Sequence, residues 1–197
     1  ICGFTKFKSG LLGEKLGHSF SPQIHDCLSD YSYTLFEKSP EEAEAFLRSG
    51  DFDGINVTIP YKKLAFSLCD EVSEVASKIG SVNTVVKNGN KIKGYNTDYY
   101  GMKALIKKAG VSLKEKKVLI LGTGGTSKTA KVVAQDLGAK QILTVSRQKT
   151  KEYITYEEVY YRDIATGKKI FQECVCLTTP DEDCAETQEI LKAIERH

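Results

Sequence analysis

The stretch Val118–Ala130, with the sequence VLILGTGGTSKTA, decides the fold class of this chain. Four consecutive apolar residues open it, which is typical of a strand buried on both faces of a parallel sheet. A glycine-rich turn follows, and then apolar residues recur at helical spacing until Gly138. A strand, a tight glycine turn and a helix in direct succession predict an α/β unit with a dinucleotide site at the turn.

The glycine turn supplies the first candidate binding residues. Gly122 permits the bend after the strand, and Gly124 lets the backbone approach a pyrophosphate at the start of a helix predicted to begin near Thr126. Ser127 stands where the usual pattern has its third glycine. The predicted cofactor-binding residues here are Gly122, Gly124, Gly125, Thr126 and Ser127. The alternative is a glycine turn in a fold that binds no nucleotide.

The next predicted strand, Gln141–Val145, ends in a polar and basic segment. An acidic residue here would hold the ribose hydroxyls of NAD, whereas Arg147 suits the 2′-phosphate of NADP. The sequence therefore predicts NADP, held by Ser146, Arg147 and Lys149. For Lys149 and Lys151 a solvated loop is an equally open interpretation.

In the first half of the chain, residues 54–63 have the sequence GINVTIPYKK. Apolar and polar residues alternate with the period of a β-strand, which Pro60 is predicted to end. Lys62 and Lys63 follow at once, at the carboxyl end of the strand, where open α/β sheets bind their ligands. The two interpretations of Lys62 are a solvated surface charge and a catalytic group.

Strand-like and helical patterns alternate along the whole chain and predict an α/β fold with mainly parallel sheets. We expect two domains, residues 1–100 and residues 101–197, with the boundary on or just before the helix that follows Asp98. Ser39 predicts a capping box, and Asn88-Gly89 predicts a tight hairpin turn.

A helix is also predicted to start around the Ser-Pro step of the first half. Ser21 would be its N-cap and Pro22 its first residue. Ile24, Cys27 and Leu28 would form its buried stripe.

The composition narrows the possible function classes. The chain has 197 residues, 41% of them hydrophobic and 27% charged, with a formal net charge of +2. These are ordinary globular values, and they favour neither nucleic acid nor a membrane as a partner. Among the six cysteines, Cys174, Cys176 and Cys184 lack the spacing of a zinc site. We therefore expect no metal, no disulfide framework and a cytoplasmic location.

Five motifs in order resemble the shikimate dehydrogenases, the NADP-linked enzymes of aromatic amino-acid biosynthesis. They are GEKLGHSFSPQIH (13–25), NVTIPYK (56–62), GSVNT (80–84), GYNTD (94–98) and the glycine turn. Within the first motif, Lys15 replaces the proline that is usual in the family.

The resemblance implies a role for each site residue. Ser19 and Ser21 would hold the substrate carboxylate, although Ser21 equally suits a helix cap and Ser19 a loop serine. Thr58, Asn83 and Asp98 would hydrogen-bond the ring hydroxyls. Lys62 would act at the reacting hydroxyl, paired with Asp98, so the implied catalytic residues are Lys62 and Asp98. His18 and His25 are not expected to be catalytic.

The implied activity is the NADP-dependent interconversion of shikimate and 3-dehydroshikimate, in a possible homodimer. The implied fold is an N-terminal α/β substrate domain followed by a shortened Rossmann-type dinucleotide-binding domain. The family continues into helices that return to the first domain, whereas this chain ends at His197 after a predicted amphipathic helix over 182–197. The alternatives are a quinate/shikimate dehydrogenase and a non-catalytic ligand- or nucleotide-binding protein on the same scaffold.

Overall fold

The structure is a computed structural model, and it divides the chain into two compact units, Ile1–Thr97 and Asp98–His197. The described residues are 7–28, 31–156, 158–159 and, as backbone, 174–178. Both units combine helices with a sheet that contains parallel strand pairs, so the predicted α/β class is confirmed. The predicted helix over 182–197 lies outside the described residues.

The first unit is built on a mixed six-stranded sheet with the order β2-β1-β3-β5-β6-β4. Its strands are β1 (Ser9–Gly13), β2 (Tyr33–Glu37), β3 (Gly54–Val57), β4 (Glu71–Val72), β5 (Thr84–Asn88) and β6 (Lys91–Tyr95). Strand β1 pairs in parallel with both β2 and β3, so the carboxyl ends of these three strands lie at one edge of the sheet. Strands β5 and β6 form the predicted hairpin, with Gly89 in the left-handed region at φ 61°.

Four helices accompany this sheet. They are α1 (Ser21–Asp26), α2 (Pro40–Ser49), α3 (Lys62–Leu68) and α4 (Glu74–Ile79). The predicted capping box at the start of α2 is confirmed, because Ser39 accepts from the Glu42 N–H and Glu42 accepts from the Ser39 N–H. The core between the helices and the sheet is apolar and centres on Leu12, Leu47, Ile55, Val57 and Val85.

Helix α1 differs from its prediction. Its N-cap is Phe20, and Ser21 is the first helical residue. The predicted buried stripe is exposed: Ile24 retains 56% and Leu28 70% of its accessible surface, and Cys27 is exposed as well. Helix α1 ends at Asp26, before Cys27 and Leu28, so the predicted stripe does not form, and α1 contacts Tyr33 through the stacked ring of His25.

The second unit contains a parallel four-stranded sheet with the order β10-β7-β8-β9. Its elements are α5 (Asp98–Lys108), β7 (Lys117–Leu121), α6 (Gly125–Asp136), β8 (Gln141–Ser146), β9 (Ile154–Thr155) and β10 (Cys174–Thr178). The apolar run of the glycine stretch forms β7, in which residues 118–121 are fully buried as predicted. Asp98 is the first residue of α5.

The described residues contain neither a membrane-spanning helix nor a cluster of metal-ligating side chains. Within these ranges no helix is long and apolar enough to cross a membrane. In the same part of the chain no group of three or more His, Cys, Asp or Glu residues is placed to hold a metal ion. Cys176 lies in β10, but Cys184 lies outside the described residues.

Candidate active site

The loop between β1 and α1 carries the Ser-x-Ser motif. It leaves the sheet at Gly13, where an added Cβ would lie 2.5 Å from Leu16 and 2.8 Å from Thr58. Leu16 is buried and its N–H donates to the Glu37 carboxylate at 2.5 Å. The Ser19 N–H donates to the Leu16 carbonyl at 2.9 Å, which holds Ser19 close to the end of β1. Glycine and an anchored leucine thus position the loop against Thr58.

A cavity of about 470 Å³ lies beside this loop. Its lining residues are Leu11, Lys15, Leu16, Gly17, His18, Ser19 and Thr58. Two predicted substrate-binding residues, Ser19 and Thr58, therefore face one space, although they come from different strand ends. Lys15 and His18 at the same cavity can add hydrogen-bond donors, and the Lys15 ammonium adds a positive charge, which suits an anionic ligand.

Ser21, the second serine of the motif, is attached to the site through its neighbours. Its backbone N–H donates to Ser19 Oγ at 3.2 Å. Its side chain lies close enough to the phenol of Tyr33 to lower the pKa of that group. Because the N–H group occupies an acceptor position of Ser19, the Ser19 hydroxyl proton is directed elsewhere and can be donated to a ligand.

Asn83 is held by hydrogen bonds that set the orientation of its amide. Its side chain is buried, at 7% exposure, and Oδ1 accepts from the Thr97 N–H at 2.8 Å. The hydroxyls of Thr97 and Thr84 also lie 3.2 Å from Oδ1. A backbone N–H can only donate, so Oδ1 must face Thr97 and the NH2 group must point the other way. Asn83 would therefore meet a substrate hydroxyl as a donor.

Three residues without a predicted role are connected to Asn83 by hydrogen bonds. The Tyr33 hydroxyl donates to Asn56 Oδ1 at 2.7 Å, and Asn56 Nδ2 donates to Thr84 Oγ1 at 3.2 Å. Asn56 belongs to the NVTIPYK motif, two positions from Thr58 on the same strand face, and Thr84 ends the GSVNT motif next to Asn83. Tyr33 had no comparable signal in the sequence.

Lys62 is the first residue of α3 and is half-buried, whereas Lys63 is exposed. The Lys62 carbonyl accepts from the Val82 N–H at 3.0 Å, which brings the start of α3 beside the segment that ends in Asn83. Tyr61 is buried and donates to the Lys38 carbonyl at 2.6 Å, so its hydroxyl has a structural partner. Asp98 belongs to the second unit.

The glycine turn of the second unit has the geometry of a phosphate loop. Gly122 has φ 98°, which favours glycine, and Gly124 is the N-cap of α6. No side chain among the described residues caps this helix, so its first N–H groups are directed at the space before it. Ser127 is buried and donates to the Gly124 carbonyl at 2.7 Å. Position 127 therefore requires a small residue. The turn as a whole fits an anionic group at the N-terminus of α6.

The basic segment after β8 lies at the carboxyl end of the neighbouring strand. Ser146 is half-buried at the end of β8, and Arg147 and Lys149 are exposed. Lys149 also forms an ion pair with Glu158, which offsets part of its charge. Arg147 is thus the better candidate for a bidentate phosphate contact, and these side chains, with the turn, fit a phosphorylated dinucleotide.

Comparison with known proteins identifies the family. Residues 11–85 match the family described as the shikimate dehydrogenase substrate binding domain. The crystal structure of shikimate dehydrogenase 1 from Peptoclostridium difficile is 30% identical with a TM-score of 0.73, and the match covers 95% of this chain and 83% of that one. The chain belongs to the shikimate dehydrogenase family. The resemblance stated from the five motifs is therefore confirmed.

Two further family members extend the comparison. The shikimate dehydrogenase (NADP(+)) of Clostridium beijerinckii is 38% identical over 167 residues, which is 76% of this chain and 62% of that protein. The enzyme from Thermus thermophilus in complex with NADP(H) and shikimate is 27% identical with a TM-score of 0.66, covering 86% of this chain and 62% of that one. This chain thus spans less than two thirds of the length of these two shikimate dehydrogenases.

Proposed function

We propose that this chain carries the substrate and cofactor sites of an NADP-dependent shikimate dehydrogenase. The reaction is the oxidation of shikimate by NADP⁺ to 3-dehydroshikimate, NADPH and a proton, and its reverse. The observation that carries the proposal is the cavity of the first unit, where Ser19 and Thr58 from two strand ends face one space. Membership of the shikimate dehydrogenase family supplies the substrate class.

The polar residues in and near the cavity suit the two kinds of polar group on shikimate, its carboxylate and its ring hydroxyls. Ser19 can donate its hydroxyl proton to the substrate carboxylate, and Ser21 holds the Ser19 oxygen from the other side. Thr58 and the NH2 group of Asn83 suit ring hydroxyls, because both can donate to an alcohol oxygen. Lys15, on the same cavity, adds a positive charge that complements the carboxylate.

The chemical step requires removal of a proton from the reacting hydroxyl as a hydride leaves its carbon. Lys62, half-buried at the start of α3, is proposed to accept that proton. Asp98 is proposed to orient the reacting groups. The chemistry that NADP⁺ supplies when bound is acceptance of the hydride. The proposed cofactor contacts are the turn residues Gly122, Gly124, Gly125, Thr126 and Ser127, with Ser146, Arg147 and Lys149 toward the 2′-phosphate.

The test is the absorbance of reduced nicotinamide on mixing the 197-residue chain with shikimate and NADP⁺. Wild type is compared with Lys62→Ala and with the matched control Lys63→Ala, which changes the adjacent exposed lysine. We expect shikimate-dependent reduction in wild type and in Lys63→Ala, and a loss of about 100-fold or more in Lys62→Ala, the lower range for removal of a general base.

Parallel reactions with NAD⁺ and with quinate separate the alternatives. Reduction of NAD⁺ as fast as NADP⁺ would contradict the proposed cofactor, and equal turnover of quinate would make the chain a quinate/shikimate dehydrogenase. Shikimate binding without turnover in folded wild type would favour the non-catalytic scaffold. Equal loss in both lysine variants would contradict the role of Lys62.

The proposal also includes a cytoplasmic location and a homodimer. Cys27 and Cys69 are free cysteines, which suits a reducing compartment. Sedimentation velocity of the purified chain tests the dimer, and a single monomeric species at micromolar concentration would contradict it.

A further inference from the structure

Tyr33 begins a chain of hydrogen bonds that runs to Asn83 in the proposed substrate site. Its hydroxyl has one proton, which is donated to Asn56 Oδ1 at 2.7 Å. The Ser21 side chain lies close enough to the phenol to lower its pKa. Tyr33 therefore lies between the serine motif on one side and strand β3 on the other.

The chain of donors continues to Asn83. Asn56 Nδ2 donates to Thr84 Oγ1 at 3.2 Å, and Thr84 Oγ1 lies 3.2 Å from Asn83 Oδ1, to which it can donate. Each donor in this series points the same way, from Tyr33 through Asn56 and Thr84 to Asn83. Asn56 can only take part in this order if its oxygen faces Tyr33, because reversing its amide would place its NH2 group against the Tyr33 donor.

The surroundings of Tyr33 hold its ring in place and keep its hydroxyl protonated. The imidazole of His25 stacks on its ring with a centroid distance of 3.7 Å and an interplanar angle of 11°. Burial raises the pKa of Tyr33 to about 12, and the nearby Ser21 side chain counteracts part of that rise. The phenol therefore keeps its proton, and remains a donor to Asn56, at every pH at which the enzyme would be assayed.

We propose that Tyr33 is a positioning residue, which sets the amide orientation of Asn56 and, through the Thr84 hydroxyl, supports the Asn83 oxygen that the Thr97 N–H already orients beside the substrate hydroxyls. The inference rests on the proposed function, since it assumes that Asn83 contacts substrate. Tyr33 itself is placed in contact with neither substrate nor cofactor. Its effect belongs to substrate binding more than to the chemical step.

The test compares Tyr33→Phe with Tyr61→Phe in the 197-residue chain. Tyr61 is a matched control, because it is buried and its hydroxyl donates to a single structural acceptor, the Lys38 carbonyl. Shikimate affinity is measured by calorimetry, and KM and kcat by NADP⁺ reduction. For Tyr33→Phe we expect KM and the dissociation constant to rise about tenfold, since the Asn56 oxygen loses its donor, with kcat changed less than about twofold. For Tyr61→Phe we expect lower thermal stability and an unchanged KM.

A double-mutant cycle with Asn56→Ala separates positioning from a general loss of structure. If Tyr33 acts through Asn56, adding Tyr33→Phe to Asn56→Ala changes KM by less than about twofold, because the two side chains act as one unit. The inference would be overturned if the two substitutions multiplied their effects on KM, or if Tyr33→Phe left KM unchanged, in a protein whose wild type binds shikimate. A wild type that neither binds nor oxidises shikimate would overturn the proposed function and this inference together.

Discussion

Asn83 illustrates how a single side chain acquires a directional role. Its oxygen accepts from the Thr97 N–H at 2.8 Å, and a backbone N–H has no other mode of bonding. The amide is buried and cannot exchange its two ends without leaving that N–H unsatisfied. At the residue scale, the hydrogen bond from Thr97 to the Asn83 oxygen therefore decides which end of the Asn83 amide can meet a ligand.

The orientation of the Asn83 amide predicts how Asn83→Asp would change shikimate affinity. The substitution keeps an oxygen for Thr97 but replaces the NH2 donor by a second acceptor, so a substrate hydroxyl would lose its donor. We expect the shikimate dissociation constant to rise about tenfold or more, the cost of a lost hydrogen bond to a buried group. Calorimetric titration measures it. The exposed hairpin residue Asn88 provides the control, and Asn88→Asp should leave the affinity unchanged. Equal affinity of wild type and Asn83→Asp would exclude Asn83 from the site.

At the scale of elements, helix ends carry both stability and binding. Helix α2 begins with two reciprocal bonds between Ser39 and Glu42 and ends at Gly50 in the left-handed conformation. Helix α6 begins at Gly124 without a capping side chain among the described residues. A side chain thus caps α2, whereas in α6 only the backbone closes the first turn, through the Ser127 N–H and the Gly124 carbonyl at 3.1 Å, and we propose that a phosphate binds at this end.

For α2, Ser39→Ala should lower the free energy of unfolding by about 1 kcal/mol at neutral pH. The backbone hydrogen bond from Ser39 holds the pKa of Glu42 below its ordinary value of 4.5. A depressed pKa means that this carboxylate stabilises the fold above pH 4.5 and that the contribution is lost as the pH falls through the folded-state pKa. Glu42→Ala should therefore be destabilising at pH 7 and nearly neutral in acid.

Urea unfolding at both pH values measures these changes. Ser67→Ala is the control, since the exposed Ser67 hydroxyl donates only to the Leu64 carbonyl of its own helix. A destabilisation by Glu42→Ala that is as large in acid as at pH 7 would show that the carboxylate is not the stabilising species.

For α6, Gly125→Ala separates a binding role from a folding role. A Cβ at Gly125 meets no described atom within 4 Å, so the fold should accept the methyl group. A pyrophosphate at the helix N-terminus would meet that methyl group directly, and we expect NADP⁺ affinity to fall about tenfold or more with stability unchanged. Gly101→Ala in α5 is the matched control, because its Cβ likewise meets no atom of the described chain within 4 Å. Unchanged affinity in Gly125→Ala would place the cofactor elsewhere.

At the scale of the whole molecule, the two units carry separate parts of the proposed activity. The serine loop, Thr58 and Asn83 all lie within Ile1–Thr97, whereas the glycine turn and Arg147 lie within Asp98–His197. Each unit has its own apolar core, the first around β1, β3 and β5 and the second around β7 and β8. Apart from the proposed role of Asp98, which belongs to the second unit, binding of each ligand is therefore expected to depend on the residues of one unit.

This predicts a crossed pattern of binding. Thr58→Ala should weaken shikimate binding several-fold and leave NADP⁺ affinity unchanged, whereas Gly125→Ala should do the reverse. Both variants should lose turnover, because the reaction needs both ligands. Titration of each variant with each ligand measures all four affinities. A variant that weakens both ligands equally would indicate a general loss of structure and contradict the division of roles.

Local patterns in the sequence predicted much of the fold. The buried strand β7, the glycine turn, the capping box of α2 and the β5–β6 hairpin each depend on residues within a few positions of one another, so propensity and turn geometry were sufficient. Cavity-lining residues Ser19 and Thr58 were also named from motifs. The period of residues 54–59 placed Asn56 and Thr58 on one strand face but did not show which partner each would meet.

Tertiary structure alone decided the rest. The exposure of Ile24 and Leu28 accompanies the end of α1 at Asp26 and the stacking of His25 on Tyr33, which helical spacing does not encode. Tyr33 and Asn56 are 23 positions apart, and they meet because β1 pairs in parallel with both β2 and β3. Hydrogen bonds act over about 3 Å and have a direction. The sequence by itself therefore determined which elements form and which residue types the site contains, whereas the packing of the strands decided which donor faces which acceptor.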